Sequence, residues 1–540
     1  MSRYPEAVDV AIVGSGPTGA AYARILSEEA PGATIALFEV GPTVSDPPGA
    51  HVKNIEDPAA RADAQERSEG PGAGADTVSS PGAVKAGQRR ARPGTYLLEE
   101  GFQEPGEDGM PVVAFSSNVG GMGAHWTGAC PRPGDSERIA FLPDLDALLD
   151  EADRLLGVTT DAFDGAPFTA LVRERLAAAV DDGRPAARRV QRMPLAVHRR
   201  DDGRLVWSGS DVVFGDATRA NERFTLYDDS LVTRVLLEDG RAAGVEVRDR
   251  RTGEVHTIRA RFVVVAADAL RTPQVLWASG IRPAALGRML NDQTQIVYAT
   301  RIRDAAAVAA AASEATTAGG FGADEIGADE IGADEVIDGP ISERSGVSWV
   351  PFTDAVPFHG QVMQLDASPI PLADDDPVVP GSIVGLGLFC AKDLQWDDRV
   401  EFRDDERDWY GMPAMRIHYR LTDRDRAAIE RAQDEIVALA KAVGDPIGDR
   451  PFTMPLGASL HYQGSVRMGE TDDGRSVCGP DSEVWEAPGV FVAGNGVIPT
   501  ATACNPTLTS VALAVKGARR IARELAASGD EVLSFAANQH

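Results

Sequence analysis

Residues 8 to 45 constrain this chain more than any other stretch. Val8, Val10, Ile12 and Val13 form an apolar strand pattern that stops at Gly14-Ser15-Gly16-Pro17-Thr18-Gly19. Tyr22, Ile25 and Leu26 then recur at helical spacing, and Thr34 to Phe38 form a second strand pattern, which together predict one βαβ unit. Gly14 permits the turn, Gly16 lets backbone approach a pyrophosphate, and Gly19 packs helix on strand. The helix N-terminus, with Thr18 in its first turn, attracts phosphates. Glu39 closes the second strand 20 residues after Gly19, where a carboxylate accepts hydrogen bonds from ribose hydroxyls. The pattern predicts dinucleotide binding and does not by itself choose between FAD and NAD.

At 540 residues the chain can build two interleaved domains. Its formal charge of −29 repels phosphate backbones and anionic headgroups, so nucleic acid and membrane surfaces are poor partners and a neutral small molecule is a better one. No stretch of about 18 to 20 apolar residues could span a bilayer, and the first strand starts too early for a secretory signal. Cys130, Cys390, Cys478 and Cys504 lie far apart, without the spacing of a disulfide framework or a zinc site. A soluble cytoplasmic protein with reduced thiols and no metal is expected.

Residues 46–109 carry few large apolar side chains and read as a mobile insertion. Helical patterns follow within 143–182 and at 423–443. Residues 303–340 hold an acidic low-complexity loop with the tandem repeat GADEIGADEIGADEV. A strand at Val490 to Ala493, a glycine turn and a helix from 507 to about 526 form a second piece of the dinucleotide domain. The FAD-binding domain is therefore expected from 1–45, 110–135, 215–290 and 455–530, and the substrate-binding domain from 136–214 and 291–454.

Residues 117–133, SNVGGMGAHWTGACPRP, place glycines around a His-Trp-Thr triplet. VGGMGAHWT resembles the corresponding segment of pyranose oxidases, members of the glucose–methanol–choline (GMC) family. The resemblance implies FAD as cofactor and makes Gly120, Gly121, Met122, His125, Trp126 and Thr127 cofactor-binding candidates. His125 matches the position of covalent flavin attachment, and Thr127 the position beside flavin N5. Val263 to Gln274 resembles the family's VVLAAGALxTPQ segment, with Asp268 where glycine is common, a departure that puts the turn's conformation in question. Val232 is either the family's adenine contact or ordinary sheet core.

Ser459 to Gly469 and Thr500 to Thr509 resemble the family's two C-terminal signatures, which carry a catalytic His followed by Asn or His before Pro-Thr. Here the pair is His461 and Asn505. Oxidising an alcohol requires removal of the hydroxyl proton while a hydride leaves carbon. A neutral imidazole can take that proton, and an amide can hold the same hydroxyl. Both residues are thus also substrate-binding candidates. Pro506 and Thr507 open the last helix, whose positive end would favour negative charge on reduced flavin, and Asn495 lies in the glycine turn before it. Pro357 to Asp366 resembles the pyranose oxidase substrate loop, where Gln361 matches a sugar-binding glutamine and Leu365 replaces an acidic residue.

These features imply an α/β fold, α+β overall, with a Rossmann-like FAD domain assembled from both ends of the chain and a substrate domain on a mainly antiparallel sheet. The implied reaction is oxidation of a secondary ring hydroxyl of a glucopyranoside, at C3 in preference to C2, with O2 reduced to H2O2. The resemblance is closer to bacterial C-glycoside and glycoside 3-oxidases than to fungal 2-oxidases of free glucose. Pyranose 2-oxidation, an alcohol dehydrogenase with a quinone acceptor, and a flavin-binding interaction scaffold acting through the acidic repeat are the alternatives.

Overall fold

The computed structural model describes residues 3–70, 92–98, 100–166, 168–303, 305, 346–365 and 381–537. The first sheet is built from β1 (Ala7–Val13), β2 (Ile35–Phe38), β3 (Phe224–Tyr227), β4 (Ser230–Glu238), β5 (Arg241–Asp249), β6 (Val255–Val265) and β7 (Val490–Val492). Their order is β3-β2-β1-β6-β5-β4, with β7 also on β6. Strands β3, β2, β1, β6 and β7 pair in parallel, and β5 pairs antiparallel to both β6 and β4.

The length of β6 explains the branch. Its first half, Val255 to Arg259, bonds to β5, whereas Val263 to Val265 bond to β7. Along its other edge β1 keeps register from Ala7↔Arg259 to Val13↔Val265. Parallel strands covered on both faces need continuous apolar runs, and Val10, Ile12, Val263 and Val264 are fully buried. Helix α1 (Pro17–Glu29) packs against α3 (Thr507–Ala537), bringing Tyr22 and Ile25 into the same core as Leu508, Val511 and Val515. Helix α2 (Asp268–Ala278) follows β6 directly.

The second sheet is antiparallel, in the order Gly444–Thr453, Thr294–Ile302, Ile383–Cys390, Phe358–Leu365, Val347–Val350 and Gln191–Arg192. Helices Thr169–Val180 and Asp423–Val443 pack on it through Val172, Leu176, Ile436 and Leu439. Thr422 and Asp425 cap the latter helix reciprocally, which fixes its start.

Within the expected insertion, residues 46–70 form local structure. Helix Pro58–Ser68 is capped by Asp57, and Val44, Val52, Ile55 and Ala64 form a small apolar cluster. His51 bonds the Trp126 carbonyl through Nε2 at 2.8 Å. Asn54 both donates to and accepts from the Trp207 backbone, at 2.8 and 3.0 Å. The segment is thus held by polar ties to the body of the protein, which a count of large apolar residues does not see. Residues 71–91 and the repeat at 322–336 lie outside the described residues.

Candidate active site

The turn between β1 and α1 is shaped by what surrounds each glycine. Gly14 has φ +100°, and a Cβ there would lie 2.3 Å from the Ala266 carbonyl oxygen. At Gly19 a Cβ would lie 2.0 Å from the Gly14 oxygen, so the helix sits on the turn at a distance only glycine allows. At Gly16 it would meet nothing within 4 Å. Ser15 ties the turn to two other segments: its Oγ donates to Glu39 at 2.7 Å and accepts from the Gly120 N–H at 2.8 Å. Glu39 also accepts from the Ser15 and Gly41 backbone N–H groups. Burial raises its pKa, and these hydrogen bonds oppose the rise.

A cavity of about 280 Å³ opens above this turn. Gly14, Gly16, Thr18, Glu39 and Val232 line it, as do Gly121, Met122, His125, Trp126 and Thr127. Asn495, Thr507, His461 and Asn505 complete the set of sequence candidates that reach it. Gly19, Gly120 and Pro506 stand one layer back, Pro506 giving its carbonyl to Ser510 in the first turn of α3. Gln361 also stands back, behind Asn505.

Asp268 takes the left-handed conformation itself, at φ +69°. Its Oδ1 accepts from the Leu270 and Arg271 N–H groups at 2.6 and 2.9 Å, heading α2 in the manner of an N-cap. The glycine position is thus filled by a residue that offsets its backbone strain locally. The Asp268 side chain is exposed to the open cavity.

At the other end of the cavity, His461 is held from both sides. Nδ1 meets Gln293 Oε1 at 2.7 Å, and Nε2 meets Asn505 Nδ2 at 3.1 Å. Asn505 Oδ1 accepts from Gln361, whose Nε2 also lies 3.3 Å from His359 Nε2. His359 Nδ1 accepts from Trp349 Nε1 at 3.0 Å. The Phe389 ring lies against both imidazoles, 5.6 Å from His461 and 5.7 Å from His359. Burial lowers the pKa of each histidine to about 3, and His359 and Arg92 push His461 the same way. Both are neutral imidazoles near pH 7.

Two buried acids position the signature loops. Glu137 accepts from Ala503 and Cys504 N–H at 2.8 and 3.0 Å, and from Gly134 at 3.0 Å, fixing the segment that ends at Asn505. Asp292 accepts from Ser459 Oγ and the Gly457 N–H, two bonds that brace the approach to His461. Sequence reasoning missed Glu137, Gln293, His359 and Arg92. His359 had a signal, because it lies two residues before Gln361 in one strand and so shares its face. The others had none.

Models described as GMC oxidoreductase match residues 192–295 and 398–514. The C-glycoside 3-oxidase of Arthrobacter globiformis is 71% identical over 524 residues, covering 97% of this chain and 96% of the relative. The chain belongs to the GMC oxidoreductase family. Pyranose 2-oxidase of Tricholoma matsutake is 33% identical over 555 residues, covering 96% and 94% of the two chains. Among solved structures, pyridoxine 4-oxidase from Mesorbium loti superposes with a TM-score of 0.62 at 19% identity, covering 95% and 98%. The fold is the Rossmann-type FAD-binding fold of GMC oxidoreductases, and the family's cofactor is FAD.

The cavity fits that cofactor. Thr18 of α1 and Thr507 of α3 line it from the first turns of two helices, whose N-termini offer N–H groups to anionic oxygens. Glu39 provides a buried carboxylate, and the open space at Gly16 admits a pyrophosphate against the backbone. As a GMC oxidoreductase, the chain acts on CH–OH donors.

Proposed function

We propose that this GMC oxidoreductase oxidises the C3 hydroxyl of a glucopyranoside, a C-glycoside or an O-glycoside, to a ketone, with O2 reduced to H2O2. The observation that carries the reading is the His461–Asn505 pair on the cavity wall: a neutral imidazole with its outer nitrogen beside an amide N–H. The extent of identity to a C-glycoside 3-oxidase supports C3 over C2.

In this reading FAD supplies the acceptor for the hydride that leaves the ring carbon. His461 Nε2 takes the hydroxyl proton, and at pH 7 it is free to do so because burial keeps it unprotonated. Asn505 Nδ2 exchanges its bond to Nε2 for one to the hydroxyl oxygen, which orients the C–H bond. Gln361 supports Asn505 from behind by donating to the Asn505 Oδ1. Gly14, Gly16, Thr18, Glu39 and Val232 would hold the adenosine and pyrophosphate, with Gly121, Met122, Trp126, Thr127, Asn495 and Thr507 around the rest.

His125 is the residue of this cavity that would carry a covalent bond to the flavin, and acid precipitation reads it. Yellow colour in the pellet supports the bond, and colour left in the supernatant excludes it. A cytoplasmic site of action accords with four cysteines that are all buried and unpaired. Among the described residues no helix is long and apolar enough to cross a membrane.

The test is anaerobic mixing with D-glucose, a C-glucoside and an O-glucoside, followed by oxygen and a peroxide assay. Flavin bleaching by a glucoside, with a 3-keto product and peroxide on reoxidation, is expected. Bleaching by D-glucose alone would replace this reading with C2 oxidation of the free sugar. Bleaching without peroxide would replace the oxidase with a quinone-linked dehydrogenase.

A further inference from the structure

We infer that Gln293 is a positioning residue for the reaction: it holds His461 in the tautomer with its proton on Nδ1, leaving the Nε2 lone pair toward Asn505 and the reacting hydroxyl. The inference deepens the proposed reaction and rests on it for the role of His461.

The hydrogen bonds from the Cys504 carbonyl to Trp349 form a chain with a definite polarity. Gln293 is buried, with 2% of its surface exposed. Its Nε2 lies 2.7 Å from the Cys504 carbonyl oxygen and 3.4 Å from Thr502 Oγ1. A backbone carbonyl can only accept, so the amide nitrogen must face Cys504 and the amide oxygen must face His461 Nδ1, also at 2.7 Å. An amide oxygen can only accept, so Nδ1 carries the proton. A neutral imidazole then has its lone pair on Nε2, where Asn505 Nδ2 donates at 3.1 Å and Gln361 donates to Asn505 Oδ1 beyond it.

The far end imposes the opposite polarity. Trp349 Nε1 can only donate, so His359 Nδ1 accepts and His359 Nε2 carries the proton. If that order ran through the chain, every amide would turn over, and Gln293 would set oxygen against the Cys504 carbonyl at 2.7 Å. One contact must therefore be mismatched. The His359–Gln361 contact, at 3.3 Å, is the longest link between Trp349 and the Cys504 carbonyl, whereas Gln293 meets His461 Nδ1 and that carbonyl at 2.7 Å each. Two facing donors can sit at 3.3 Å with little attraction lost, but two facing acceptors at 2.7 Å in a buried site cannot persist. The mismatch lies at His359, and Gln293 sets the order at His461.

Gln293 also registers the pair in space. One amide bonds His461 with its oxygen and the residue preceding Asn505 with its nitrogen, so both reacting side chains are referred to a single group.

Long-range nitrogen–proton correlation spectra of holoenzyme labelled with ¹⁵N-histidine test this without any substrate. The His461 signals are assigned by their loss in His461→Gln. The expected result is a proton on Nδ1 in the wild type and a mixture of tautomers in Gln293→Leu. With the glucoside that bleaches the wild type, Gln293→Leu is expected to slow flavin reduction by roughly tenfold or more while substrate affinity changes little, the signature of a lost transition-state interaction. Gln293→Glu, in its protonated form, keeps a donor for the Cys504 carbonyl and an acceptor against Nδ1, and is expected to restore the tautomer.

A proton on Nε2 in the wild type would overturn the inference whether or not the variants fold. So would a Gln293→Leu enzyme that binds FAD and keeps both tautomer and rate. If no sugar bleaches the wild type, the proposed reaction fails while the spectra still decide the tautomer.

Discussion

Replacing two glycines at the start of α1 separates packing from cofactor binding. At Gly19 the added Cβ meets the Gly14 carbonyl oxygen at 2.0 Å, where real Cβ atoms essentially never come within 3.0 Å. Gly19→Ala must push the helix about 1 Å off the turn, an overpacking that destabilises by about 1–3 kcal/mol. At Gly16, with φ −61° and nothing within 4 Å of the Cβ, alanine suits the backbone. Gly16→Ala should leave the apoprotein as stable as the wild type, or more stable by about 0.4–1 kcal/mol through the unfolded chain. Its methyl group nevertheless stands where a pyrophosphate must approach, so FAD retention should fall at least about tenfold, equivalent to about 1.4 kcal/mol. The assay is the flavin-to-protein absorbance ratio of purified protein, with melting curves of apoprotein and of protein given excess FAD. Gly19→Ala should melt lower in both forms, and Gly16→Ala only in the form given FAD. A Gly16→Ala protein with full flavin content and the wild-type gain in melting temperature on FAD addition would refute the steric reading of the turn.

His461→Ala should retain FAD and lose about 10² to 10⁴ in flavin-reduction rate, and near-wild-type reduction would remove His461 as the base. Because burial holds His461 down to about 3, the neutral base persists on the acid side, and the reduction rate should stay flat from pH 8 to about pH 5; a limb near 6.5 would mean an exposed imidazole. Glu137→Gln should lower stability by about 1–3 kcal/mol and should slow reduction more than it lowers flavin content, since its bonds brace the segment before Asn505; melting and flavin-reduction rates check both.

The βαβ unit was legible because two signals of different origin coincide there: the periodicity of Val10, Ile12, Tyr22 and Ile25, and glycines whose spacing is dictated by contacts of the turn itself. The helix at 423–443 was legible for similar reasons, with Ile436 and Leu439 on its buried face. The packing of residues 46–70 was not, because it depends on single polar bonds such as His51 to the Trp126 carbonyl, 75 positions away. Gln293 and Glu137 were invisible for the same reason. They lie 168 positions from His461 and 366 from Ala503, and no local pattern announces a partner that far along the chain. Gln361 was recognised, but its neighbour in space is Asn505.

The branched pairing of β6 has a consequence for how the protein is made. The strand bonds to residues 7–13 on one edge and 490–492 on the other, and the cavity wall draws on residues from Val13 to Ser510. About 480 residues separate these two strands, so at about 5–20 residues per second the ribosome needs roughly 25 to 100 s between them. Until then the nascent chain has the glycine turn but lacks the helix that opens at Thr507, and for most of that interval it lacks His461 as well. A cavity with all of these walls is therefore complete only after the last signature has been made.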